Sequence, residues 1–94
     1  MELAESILTS FFNAIESDPR IGVSHISLFC AILKQSVKNE AQPVAINAPD
    51  LMKAAKISGL GTYHKCIRGL DEFGYIRYVP SYNHRKKSLV YLLL

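Results

Sequence analysis

The sequence predicts a mainly α-helical chain finished by a small β-hairpin, and three observations carry that expectation. Apolar residues recur at helical spacing from Leu3 to Phe73, and the period drops to two immediately after Gly74. Glycine or proline interrupts the helical stretch at residues 18–22, 42–43 and 58–61. At 94 residues, 49% apolar and 20% charged, the composition is that of one globular domain with a modest core.

Each element follows from its own residues. In residues 2–16, Leu3, Ile7, Leu8, Phe11, Phe12 and Ile15 lie three and four apart, the mark of an amphipathic helix with a broad apolar face. Pro19 and Gly22 end it, and Ser24 is the expected N-cap of a second helix over 24–40. That helix is nearly apolar around its first two turns, so it belongs in the middle of the core. Pro43 opens a short edge strand over 44–46. Asn47 is placed to cap a third helix over 49–56, which turns Leu51, Met52 and Ala55 inward. Residues 58–61 break the chain again. A fourth helix over 62–73 carries Tyr63, Cys66, Ile67, Leu70 and Phe73 at core spacing, and Gly74 closes it. Strands over 75–79 and 89–93 flank a polar basic loop, 80–88.

Charge is distributed unevenly. Residues 1–50 hold three bases against six acids, net −3, and residues 51–94 hold eight bases against two acids, net +6. A basic half of this kind points to a polyanionic partner. Cys30 and Cys66 stand far apart in apolar surroundings and read as core residues. His25, His64 and His84 are scattered, without the close spacing a zinc site needs. No apolar run is long enough to cross a membrane and no basic signal start is present, so a cytoplasmic protein is expected. The carboxylates form no constellation with a histidine, and no phosphate-binding glycine motif appears. No catalytic residue, metal, cofactor or small-molecule substrate is therefore expected, and the chain is not read as an enzyme.

Two short helices joined by a glycine-containing turn have the order of a helix-turn-helix; the hairpin after them and the strand before them make the winged form. From about residue 24 to 93 the chain resembles the winged helix-turn-helix domain of many bacterial regulators. The motifs are Ile57-Ser58-Gly59-Leu60-Gly61-Thr62-Tyr63 and Leu70-Asp71-Glu72-Phe73-Gly74-Tyr75-Ile76. They are similar to the GntR-type pattern, in which a serine or threonine pair opens the recognition helix and a leucine leads to a closing glycine, an aromatic or aliphatic residue and isoleucine. The basic hairpin tip matches the family's wing, and the chain also resembles small helix-turn-helix proteins carried on bacterial mobile elements. It departs from the pattern in having both Gly59 and Gly61 at the helix opening, and Gly69 within the helix. The expected organisation is an N-terminal amphipathic helix (1–18), for packing or dimerisation, preceding a winged helix-turn-helix domain (23–94).

The resemblance implies sequence-specific binding of double-stranded DNA by a small bacterial transcriptional regulator. With the core stripe inward, Thr62, His64, Lys65, Arg68 and Glu72 face out, and the helix 62–73 reads the major groove. The loop 80–88, with Tyr82, Asn83, His84, Arg85, Lys86 and Lys87, meets the backbone or minor groove. Lys53 and Lys56 anchor phosphates, and Gly59 and Gly61 either let the backbone approach a phosphate or supply positive φ to the turn. A homodimer through residues 3–15 is expected, because two-fold proteins match palindromic operators. No residues are left for an effector domain, so control falls to abundance, dimerisation or a partner. The competing readings are a winged-helix protein-interaction module and a replication or recombination accessory DNA-binding protein.

Overall fold

The computed structural model of the chain describes residues 2–39, 42–83 and 85–94. The chain order is α1 (Glu2–Ile15), α2 (Val23–Asn39), β1 (Val44–Ile46), α3 (Ala48–Ala55), α4 (Leu60–Glu72), β2 (Ile76–Val79) and β3 (Ser88–Leu92). The strands form one antiparallel sheet in the order β1-β3-β2, with Val90 level with Val44 on one side and Tyr78 on the other. The fold is thus mainly helical with a small sheet. No helix among the described residues is long and apolar enough to cross a membrane.

The core is built around α2, whose Leu28, Phe29 and Ile32 are fully buried. Phe11 of α1 stacks on Phe29 with ring centroids 3.8 Å apart and meets Tyr75 edge-on at 5.5 Å. Phe11 therefore belongs to the interior of the monomer, whereas Phe12 is 42% and Leu3 72% exposed. Below α2 lie Leu51 and Ala55 of α3 and Tyr63, Cys66, Ile67 and Leu70 of α4. Strand alternation turns Val44, Ile46, Ile76, Val90 and Leu92 onto the same core.

Several boundaries differ from the sequence reading. Ser24 is not the N-cap of α2; the helix starts at Val23, and the Gly22 carbonyl accepts from the Ile26 amide. His25 Nδ1 reaches back to accept the Gly22 N–H at 3.0 Å, one half of a capping box. The cap expected at Asn47 is present, its Oδ1 accepting from the Asp50 amide at 3.1 Å. The fourth helix starts at Leu60, not Thr62, and ends at Glu72, so Gly61 lies inside its first turn. Its end is a complete Schellman closure: Gly74 has φ 89°, its amide bonds Asp71 O at 3.1 Å, and the Tyr75 amide bonds Leu70 O at 2.9 Å. The flanking strands begin one residue later (Ile76) and one earlier (Ser88) than the alternation suggests.

Gly69, a weak helix former, has a packing reason. A Cβ there would lie 3.0 Å from His25 Nε2 and 3.3 Å from Phe73 Cε2, so glycine lets α2 approach α4. Ser27 Oγ donates to the Ala55 carbonyl and ties α2 to the end of α3.

Candidate nucleic-acid interface

The α3–α4 connection sets the geometry of the basic half. After Ala55 the chain makes a second Schellman closure: the Lys56 amide bonds Lys53 O at 3.3 Å and the Ile57 amide bonds Met52 O at 2.9 Å. The residue in the left-handed conformation is Lys56, with φ 62° and ψ 37°. Buried Ile57 then pins the turn to the core, and α4 begins after Gly59.

This overturns the positive-φ account of the paired glycines. Gly59, the N-cap of α4, has φ −94° and ψ 127°, ordinary extended backbone, and Gly61 has no positive φ either. A Cβ on Gly59 would make only ordinary contact with Thr62, and a Cβ on Gly61 would meet nothing within 4 Å. The turn needs neither glycine, and the one position that would suit glycine holds a lysine.

The candidate residues of α4 and the hairpin fall into three hollows, of which the second and third share Pro80, Ser81 and Tyr82. The first, of about 220 Å³, is lined by Lys56, Gly59 and Thr62 with Ser24, Ile57 and Ser58. It lies at the opening of α4, where no side chain caps the helix. The second, a cleft of about 390 Å³ between α4 and the hairpin, brings His64 and Arg68 against Tyr78 and Tyr82, with Asp71 at one side. The third, of about 570 Å³, is lined by Asn83, Lys86 and Lys87 with Val79, Tyr82 and Leu89. Tyr82 borders both of the last two.

Lys53, Lys65 and Arg85 line none of these hollows but are exposed. Lys65 lies near His25, whose pKa is lowered by burial first and by the Lys65 charge second, against the pull of Asp18. Asn83 is partly occupied within its own loop, its Oδ1 accepting from the Arg85 amide at 3.0 Å. His84 lies outside the described residues. Tyr75 is buried and Tyr78 and Tyr91 are half-buried, as expected of core and sheet-face positions.

The ion pair formed among the described residues joins Arg20 and Asp18 at 2.8 Å. None of Lys53, Lys56, Lys65, Arg68, Arg85, Lys86 and Lys87 has an acidic partner among the described residues, a condition they share with Lys34, Lys38 and Arg77. Burial raises the thiols of Cys30 and Cys66, keeping both protonated near neutrality. No three described His, Cys, Asp or Glu residues come together as metal ligands.

Sequence reasoning missed Ser24 and Ser58 in the first hollow and the Val79–Leu89 pair beneath the third. The second could have been found, because Val79 and Leu89 fall on the outer face once the strand alternation is followed. Ser24 could not, because only the packing of α2 against the α3–α4 turn brings it there. Compared with protein-family models, curated proteins and solved structures, the chain matches none.

Proposed function

We propose that this chain is a sequence-specific double-stranded DNA-binding protein of the winged helix-turn-helix kind, acting as a small bacterial transcriptional regulator. The observation that carries this reading is the gathering of Lys53, Lys56, Lys65, Arg68, Arg85, Lys86 and Lys87 around α3, α4 and the hairpin, none with an acidic partner among the described residues, in the half of the chain whose net charge is +6. In this reading α4 enters the major groove by its N-terminal end, with Thr62, Lys65 and Arg68 toward base edges and His64 flanking them. Lys53, Lys56 and the hairpin wing hold phosphates on either side. Gly59 and Gly61, which the turn does not require, leave the first amides of α4 open to a phosphate oxygen. Two copies related by a dyad through α1 would match a palindromic site. Leu3 and Phe12 are the exposed large apolar residues of that helix, so Phe12→Glu, not the buried Phe11, is the variant that separates dimer from monomer.

The test is a titration of the protein with duplexes of varied sequence. Arg68→Ala should relax sequence preference by about 1–3 kcal/mol at the affected base pair. Lys86→Ala should weaken all duplexes alike. Equal loss of preference in both variants, or no duplex binding at low salt, overturns the reading.

A further inference from the structure

Of the five tyrosines, Tyr82 alone is left in water: it is 93% exposed, against 1% for Tyr63 and 6% for Tyr75. The others have partners. Tyr63 meets His64 edge-on, Tyr75 donates to Asp18, Tyr78 packs against the core, and Tyr91 lies under Arg77. Tyr82 has no hydrogen bond and no ring contact among the described residues. An aromatic ring is a large apolar surface, and leaving it bare forgoes burial that the fold could have supplied.

Its position is informative. Tyr82 stands between the α4 cleft, where Arg68 and His64 lie, and the hollow of about 570 Å³ on the outer side of the sheet. That hollow has an apolar floor, Val79, Pro80 and Leu89, and carries Lys86 and Lys87 on its rim. An unattached aromatic ring beside two ammonium groups over an apolar floor is the combination that holds an unpaired strand. The ring takes the face of a base and the cations take its phosphates. A base inside a duplex offers no such face, because its neighbours already cover it.

We propose that Tyr82 stacks an unpaired nucleobase over the Val79–Leu89 floor, with the flanking phosphates on Lys86 and Lys87. This rests on the reading of α4 as the duplex-facing element, and makes the protein's preferred target a duplex that continues into a single-stranded segment. The strand leaving the duplex at Arg68 meets Tyr82 next, since both line the same cleft.

The experiment compares a blunt duplex, the same duplex with a short single-stranded tail carrying 2-aminopurine, and the tail alone, each titrated into wild type, Tyr82→Ala and Tyr82→Phe. The ring is 93% exposed and makes no hydrogen bond or ring contact among the described residues, so both variants should fold as wild type, and circular dichroism checks this. The expected result is that the tail tightens binding on the order of tenfold, a typical gain for one stacked base. Tyr82→Ala should abolish that gain and the quenching of 2-aminopurine, and Tyr82→Phe should keep both, the gain being taken for each protein relative to its own affinity for the blunt duplex. A tail that adds nothing, or a gain that survives in Tyr82→Ala, overturns the inference while leaving the duplex reading intact. Tyr82-dependent binding of the tail alone, with no affinity for the blunt duplex, supports the inference and removes the duplex reading. Tyr82-dependent binding of an acidic, leucine-containing peptide with no response to the tail assigns the hollow to a protein partner and overturns the inference.

Discussion

Asp18 and Lys56 both sit in tight turns between consecutive helices, and the fold treats them in opposite ways. The Asp18 carboxylate accepts from Arg20 Nε at 2.8 Å, Arg20 Nη2 at 2.9 Å and the Tyr75 hydroxyl at 2.6 Å. The Arg20 guanidinium in turn lies over the Phe73 ring at 4.1 Å. Asp18 and Arg20 together join the α1–α2 connection to the end of α4. Lys56 holds a left-handed backbone that glycine adopts more cheaply, and its ammonium has no acidic partner among the described residues. The Asp18 carboxylate is satisfied within the molecule, whereas Lys56 keeps a left-handed backbone and a charge with no acidic partner among the described residues. Such features concentrate where something external binds.

The largest expected effect lies on the first side of that comparison. Phe11→Ala removes the ring stacked between α1 and α2 and should cost about 3–5 kcal/mol in urea denaturation, the usual range for a buried phenylalanine. Phe12→Ala, on the exposed side of the same helix, should cost far less.

On the second side, Lys56→Gly should move stability and binding in opposite directions. Relief of the left-handed backbone is worth about 1 kcal/mol of added stability, while duplex affinity falls. A variant that loses both would mean that Lys56 is structural.

Gly69→Ala is the subtler case. Helix propensity favours alanine by about 1 kcal/mol, but its Cβ would press on the His25 ring at 3.0 Å. Net destabilisation is expected, seen as a lower urea midpoint.

The finest distinctions are read against pH. The bonds from Arg20, then the Tyr75 hydroxyl, hold the Asp18 carboxyl well below its ordinary value of 3.8. A depressed carboxylate contributes fully above that value and loses its contribution as pH falls below it. His25, lowered from 6.5 chiefly by burial, has the same sign: its contribution is complete above 6.5 and declines on acidification. Urea midpoints should therefore fall in two steps. His25→Gln should flatten the step nearer neutrality, and Asp18→Asn should flatten the acid one.

How much of this was legible in the sequence depends on whether local spacing or tertiary contact decides. The apolar spacing of α1, α2 and α4 and the alternation of β2 and β3 come from local pattern, and the structure follows them within one or two residues. The outward placement of Lys65 and Arg68 follows from the same period. The reasons for the glycines were not legible. Gly69 answers to His25, forty-four positions earlier in the chain, and the left-handed residue is Lys56, which no composition rule would choose. Phe11 and Phe12 are adjacent and chemically identical, so only the fold could assign one to the core and leave the other at the surface.

The central claim is that the cations gathered around α3, α4 and the hairpin bind a nucleic-acid backbone. The most direct test is the slope of duplex affinity against salt, measured for wild type and for the Arg85→Ala/Lys86→Ala/Lys87→Ala variant. Each phosphate contact contributes about 0.9 to that logarithmic slope, so the variant should be shallower by roughly 2–3. A slope unchanged by the triple substitution, or a wild type without duplex affinity at low salt, would contradict the account.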